Sequence, residues 1–187
     1  MPWLAATELV ATSNPAFANP TLRAGVKSAF FRRSMTATQT AHLYRQLTRE
    51  DFGNPNAMVA LPGFVGGQVN AVAPDATAWV HRDSAFVAQI QSFWPSSAAD
   101  AANIGWLRDV YRGLFPETGG YPVSNQQTDG CYISTPDPDI VDPQQNQSGV
   151  PWQALYYGVN YPRLQRVKAE YDPLNVFRHS QSITAAR

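Results

Sequence analysis

Cysteine is almost missing from this sequence: Cys131 is the single one in 187 residues. That excludes an intramolecular disulfide framework and any cysteine-rich metal centre. Charge is sparse as well. Charged residues make up 15% of the chain, against roughly 25% in an ordinary soluble domain. The 14 basic and 14 acidic side chains cancel, so there is no electrostatic footprint for nucleic acid and none for anionic lipid. No stretch reaches the ~18 uninterrupted apolar residues of a membrane span, and neither nucleic acid nor membrane is expected as a partner. Metal-ligand spacing is lacking: His42, His81 and His179 stand far apart with no HxxxH or CxxC pair, and no metal is expected. Each histidine reads as a surface residue or a satisfied hydrogen-bonding group. A Walker loop and a Rossmann glycine fingerprint are both missing, since Gly63-Phe64-Val65-Gly66-Gly67 has the wrong spacing. No Gly-x-Ser-x-Gly elbow supports a Ser-His-Asp set. Met1 to Val10 holds Glu8 and no Lys or Arg, so a secretory leader is not expected and the cytoplasm is the default compartment.

What remains is apolar and aromatic. Hydrophobic residues reach 44% and aromatics 12%, enough to bury a core and to argue against disorder. One domain over 1–187 is expected. Its first 20 residues, interrupted by Pro2, Pro15 and Pro20, carry weak structural signals. Thr21 to Arg33 reads as a helix with Leu22, Val26, Ala29 and Phe30 on one face. A second helix is expected over Thr36–Thr48, burying Leu43 and Leu47, before a turn at 51–56. Short strands are expected at 57–64, 68–73, 78–80, 85–93 and 130–134, the first two paired around Gly66-Gly67. Ser96 or Ser97 opens a helix whose inward face is Ala102, Leu107, Val110, Tyr111 and Leu114. A last helix starts at Asn160, with Leu164 and Val167 inward, and stops before Asp172-Pro173. This order predicts an α+β fold, a mostly antiparallel sheet with helices packed on one face.

The most informative stretch is Trp152 to His179, with Asn160-Tyr161-Pro162-Arg163-Leu164 opening its helix and Asp172-Pro173-Leu174-Asn175-Val176-Phe177 closing it. It resembles the C-terminal signature of the berberine-bridge-enzyme-like FAD-linked oxidases, within them the aclacinomycin-oxidoreductase-like group. Val69 to Asp75, Trp79 to Asp83 and Thr128 to Ile133 carry the resemblance further, from about Arg23 to Ile183. The resemblance implies a substrate-binding domain, with the FAD-binding domain outside this chain. It implies FAD as cofactor, Tyr161 as the base for a substrate hydroxyl, and Asn160 and Asn175 near the flavin or holding the turn. Hydride would pass to the flavin, which carries the hard step.

Two departures from that pattern stand out. Gln89-Ile90-Gln91 sits where relatives often place an acid or tyrosine, and Ser134-Thr135 where they often have Asn-Tyr. Glutamines are poor bases but bind by hydrogen bonds. A substrate site of Gln89, Gln91, Tyr132, Tyr157 and Trp94 is therefore expected. Arg163, Lys168 and Asp172 are expected to fix a helix end by charge pairing. Three readings remain open at this stage. The chain is the substrate-domain polypeptide of an FAD-linked oxidoreductase acting on a hydroxylated small molecule, with a separate chain supplying the flavin. Or it is a cofactor-free cyclase, isomerase or binding protein derived from that domain. Or it is a self-associating remnant, a homodimer formed through an uncovered sheet face.

Overall fold

Arg-Ala-Gly-Val-Lys-Ser-Ala-Phe-Phe (Arg23–Phe31) is a strand, β1, and not the expected helix. The helical spacing of Val26, Ala29 and Phe30 was fortuitous. Glycine, serine, valine and phenylalanine are weak helix formers, and all nine residues find antiparallel partners along β3 (Phe86–Trp94). Tertiary pairing decides such a segment. β2 (Ala57–Ala60) pairs with the other edge of β3, giving a three-stranded antiparallel sheet in the order β1-β3-β2. The computed structural model describes residues 1–12 and 21–186.

Helices supply the rest: α1 (Trp3–Thr12), α2 (Ala37–Leu47), α3 (Asp100–Leu114), α4 (Trp152–Tyr157) and α5 (Tyr161–Tyr171). The fold is thus α+β, as composition and patterning predict. Thr36 starts α2 with a capping box, its hydroxyl accepting from Gln39 N and the Gln39 side chain accepting from Thr36 N. Ser96 caps a 3₁₀ turn at Ser97–Ala99 that leads into α3. Trp106, Leu107, Val110, Tyr111 and Leu114 form one buried stripe on α3, which lies over the sheet face bearing Ala29, Phe31, Ala88 and Ile90. Each such side chain contributes about 1.5–3 kcal/mol when fully buried. The approach is close: a Cβ on Gly25 would stand 2.3 Å from Leu107 Cδ1. Asn54 Nδ2 donates to Ser92 Oγ at 3.0 Å and to Asn103 Oδ1 at 2.7 Å, tying the turn before β2 to β3 and α3.

Other expectations shift in detail. The segment 68–73 holds a 3₁₀ turn at Gly67–Val69, with no hairpin to 57–64; 78–80 and 130–134 are loops, and only 57–60 of the first strand pairs. Each of these short apolar runs packs as irregular chain whose backbone groups bond elsewhere. Cys131 N, for example, donates to Leu155 O at 2.8 Å. Leu47, Ala102 and Val167 are exposed, not inward, while the amide of Gln39 is buried in Leu47's stead, donating to Leu114 O. Residues 3–12 are helical where little was expected; Pro15 and Pro20 lie outside the described residues.

A polar knot sits inside the helical side. Lys27, 4% exposed, donates to Asp137 at 2.7 Å and Asp139 at 2.9 Å, and Arg108 grips Asp139 through two nitrogens. Tyr121 Oη donates to Asp137 at 3.0 Å. Burial opposes ionisation of Asp139, but the Arg108 hydrogen bonds and the Lys27 charge outweigh it and hold its pKa at about 2.

Candidate functional site

Strand alternation puts Val26, Ser28 and Phe30 of β1, Val87, Gln89 and Gln91 of β3, and Met58 and Ala60 of β2 on the sheet face away from α3. This face carries no ionisable side chain among these residues. At one end Phe30 and Val87 are sealed by an aromatic wall. His81 stacks on Phe30 at 4.1 Å; Trp79 lies 5.7 Å and Tyr132 5.9 Å from it; Phe64 sits 5.2 Å from Tyr132. Beyond the wall Val26, Gln89, Gln91, Met58 and Ala60 are half-buried.

Gln89 and Gln91 meet on this face. Gln91 Nε2 donates to Gln89 Oε1 at 2.8 Å, which leaves the Gln89 amide N–H groups as donors and the Gln91 amide oxygen as acceptor. One donor and one acceptor in fixed relation fit a hydroxyl or hydroxy-carbonyl group. Tyr132 stands at the aromatic end of the same face, so the structure brings three of the expected substrate residues to one side.

Trp94 does not join them. It belongs to the opposite face, packed beside Gly25 with its indole donating to Asp100 at 2.6 Å. Period-two alternation on β3 makes this unavoidable for a residue three places from Gln91. It lines instead a cleft of about 720 Å³ between β1, α3 and Pro136–Asp139.

Tyr161 and Tyr157 form a second aromatic group. Their rings stack at 5.9 Å, with Trp152 at 6.2 Å from Tyr161. Burial pushes the Tyr157 phenol pKa up, the neighbouring Tyr161 adding to the effect. Tyr161 Oη is half-buried; it accepts from Thr184 N at 3.3 Å and pairs with Thr184 Oγ1 at 3.1 Å. Among the described residues, no ring contact or hydrogen bond joins this group to Gln89, Gln91 or Tyr132.

The two asparagines expected near a flavin are placed otherwise. Asn160 is buried, and its amide nitrogen donates to Pro74 O at 2.7 Å and Thr77 O at 3.1 Å, so it fastens the 74–77 loop to the start of α5. Asn175 is exposed, in the left-handed region at φ 51°, where asparagine is tolerated. Tyr161, Asn160 and Asn175 therefore do not make a self-contained cradle for FAD. Lys168 and Asp172 pair as expected; Arg163 instead donates to Asp75 O at 2.8 Å.

Sequence reasoning missed the wall of Phe30, Phe64, Trp79 and His81. His81 is neither a surface residue nor satisfied: it is 4% exposed, both ring nitrogens lack a hydrogen bond, and Nδ1 lies 3.6 Å from Asp129 Oδ2. Asp129 in turn receives Arg32 Nη2 at 2.5 Å. The Trp79-Val80-His81-Arg82 block was the available signal. Cys131 is inert by position, its thiol pushed up to about 12 by burial. Gly130, at φ 79°, allows Leu155 O to come within 2.2 Å of where a Cβ would stand, which seats α4 beside this loop.

Comparison with known proteins follows the same lines. Residues 131–184 match the family described as Berberine and berberine like. The aclacinomycin-N/aclacinomycin-A oxidase of Streptomyces galilaeus is 44% identical over 97% of this chain and 32% of its own length. Hexose oxidase of Chondrus crispus is 30% identical over 97% of this chain and 34% of its own. Among solved structures, CrmK, a flavoenzyme of shunt product recycling in caerulomycin biosynthesis, superposes with a TM-score of 0.90 at 40% identity, covering all of this chain and 37% of that one. Aclacinomycin oxidoreductase gives a TM-score of 0.87 at 42% identity over 99% of this chain and 36% of that one. The chain spans about a third of the length of these relatives.

Proposed function

Because the chain belongs to the berberine-bridge-enzyme-like family of FAD-linked oxidoreductases, we propose that it provides the substrate-binding part of such an enzyme, acting on an uncharged, hydroxylated small molecule. The Gln91–Gln89 amide pair carries this reading. It offers a donor and an acceptor on a face free of ionisable side chains, beside an aromatic wall on which a flat ring system stacks. The flavin, bound by a further portion of an enzyme of this type, supplies the hydride acceptor. This chain's residues bind and orient the substrate. Gln89 and Gln91 hold a hydroxyl-bearing edge, and Tyr132 packs against the ring. Tyr161 takes the hydroxyl proton at Oη, which Thr184 N fixes in place.

The names of the relatives support the substrate class, since an anthracycline oxidase and a hexose oxidase both act on hydroxylated compounds. The test is ligand binding followed by oxidation. Isothermal titration of the chain with a glycosylated polycyclic aromatic ligand should give saturable binding that weakens about tenfold or more in the Q89L/Q91L double variant, which leaves polar ligand groups unpaired. With a flavin-bearing portion added, substrate should bleach the flavin, and Tyr161→Phe should slow bleaching while leaving binding intact. Equal affinity in Q89L/Q91L would refute the assignment of the site.

One observation favours the cofactor-free alternative. Asn160 is committed to the 74–77 loop and unavailable to a flavin. Turnover of ligand by the chain alone, with no flavin in the mixture, would decide for it.

A further inference from the structure

The loop following α5 exposes large apolar side chains and yet is tightly held. Tyr171 is 78% exposed, Leu174 84%, Val176 68% and Phe177 79%. Such a group on a surface that otherwise buries its hydrophobics marks an interaction site. Flexible loops leave their main-chain groups to water; this one does not. Asp172 accepts from Val176 N at 2.7 Å and Phe177 N at 3.1 Å, and its main-chain oxygen accepts from Asn175 N at 3.0 Å. Lys168 Nζ pairs with the Asp172 carboxylate and donates to Phe177 O at 2.6 Å. The Lys168 hydrogen bond also holds the Asp172 carboxyl below its ordinary pKa. Asn175 accepts a left-handed backbone to complete the turn. Between Tyr171 and Phe177 the single charge, Asp172, is spent inside this staple, so the outward surface is uncharged.

We infer that 171–177 is a pre-shaped docking knuckle, and that its occupant is the flavin-binding portion of a berberine-bridge-type oxidase. The inference rests on the functional reading above and extends it by naming where the two portions join. Fixing the loop in advance removes the ordering cost of association, and a compact apolar cluster is the usual centre of a binding interface. The occupant follows from length. The relatives that this chain matches along nearly all its residues are about three times as long, so most of their mass has no counterpart here to cover the knuckle. That unmatched mass contains what this chain does not hold by itself, a site for FAD.

The experiment mixes the full 187-residue chain with the part of Streptomyces galilaeus aclacinomycin oxidase that it does not match, prepared with its FAD. Co-migration of visible flavin absorbance is followed by size-exclusion chromatography. The wild-type chain should carry the flavin peak to the larger complex. The V176S/F177S double variant should weaken the complex about tenfold or more, as expected for the loss of two anchors. Lys168→Met, which loosens the staple and keeps every apolar group, should weaken it several-fold. Tyr44→Ser, at a residue 69% exposed on α2, should change nothing. Thermal melts of all variants establish that they are folded.

Wild-type affinity in V176S/F177S overturns the inference, as does a wild-type chain that forms no complex. A knuckle used instead to pair two copies of this chain, seen as a dimer that V176S/F177S converts to monomer, overturns it too. Failure of the functional reading looks different: a complex that depends on the knuckle forms, and hydroxylated ligands neither bind nor reduce its flavin.

Discussion

Replacing Lys27 with methionine keeps the bulk of the side chain and removes its charge from between two buried carboxylates. Breaking a buried ion pair from one side costs roughly 3–5 kcal/mol, because the partner is left charged and unpaired. Here the damage falls unequally. Asp139 keeps its two-pronged grip from Arg108, whereas Asp137 retains the Tyr121 hydroxyl and the Asp139 amide. The loss should therefore sit near the lower bound, about 3 kcal/mol, lowering the melting temperature by roughly 6–12 °C in a chain of this size. Adding Asp137→Asn removes the stranded charge, so K27M/D137N should be more stable than K27M by about 1 kcal/mol or more. Urea unfolding at neutral pH reads both numbers. A K27M loss below about 1 kcal/mol, or a double variant no more stable than K27M, would refute the claim that the knot is held by charge pairing. Acid adds a second check. The Asp139 pKa is depressed to about 2, so its contribution is complete above the unfolded carboxylate value near 3.9. It disappears as pH falls from there through 2, by at most about 2 kcal/mol.

The remaining expectations are simpler. Gly130→Ala should destabilise by about 3 kcal/mol or more, since its Cβ meets the main chain of Leu155 at 2.2 Å and φ is positive; an unchanged urea midpoint would contradict the close packing. Thr36→Ala should cost about 1 kcal/mol by removing the cap of α2, read as a shift in the same midpoint. Asn175→Gly should be neutral, while Asn175→Val should cost about 1–2 kcal/mol at a left-handed position. Cys131, buried with its thiol raised to about 12, should stay unreactive toward a disulfide reagent at pH 7.5 until the chain is unfolded; rapid modification of the native protein would contradict its burial.

Long periodic segments were legible in the sequence for identifiable reasons. α3 announced itself by a stripe that runs its whole length, and α2 by Thr36 and the breakers that follow. The end of α5 was written in Asp172-Pro173. β1 was misread because five consecutive buried residues, Lys27 to Phe31, satisfy a helical template as easily as an inner strand. Only the distant β3 distinguishes the two. At the site, Gln89, Gln91 and Tyr132 were named correctly as neighbours of one face, since two of them alternate on one strand. Trp94 was misplaced by ignoring that same alternation. Asn160 was given a cofactor role where its amide bonds a loop more than eighty residues away, a contact that no local pattern records. The aromatic wall is drawn from four separated segments and becomes visible only when the chain is folded.

The sheet divides its labour by parity. Along β3 the even-numbered Ala88, Ile90 and Ser92 meet α3 and the Asn54–Asn103 network, and the odd-numbered Gln89 and Gln91 face the other way. Mutation can therefore explore one set while the other keeps the molecule folded. A lineage built on this strand is free to change what it recognises, residue by alternate residue, without first acquiring a reserve of stability to spend.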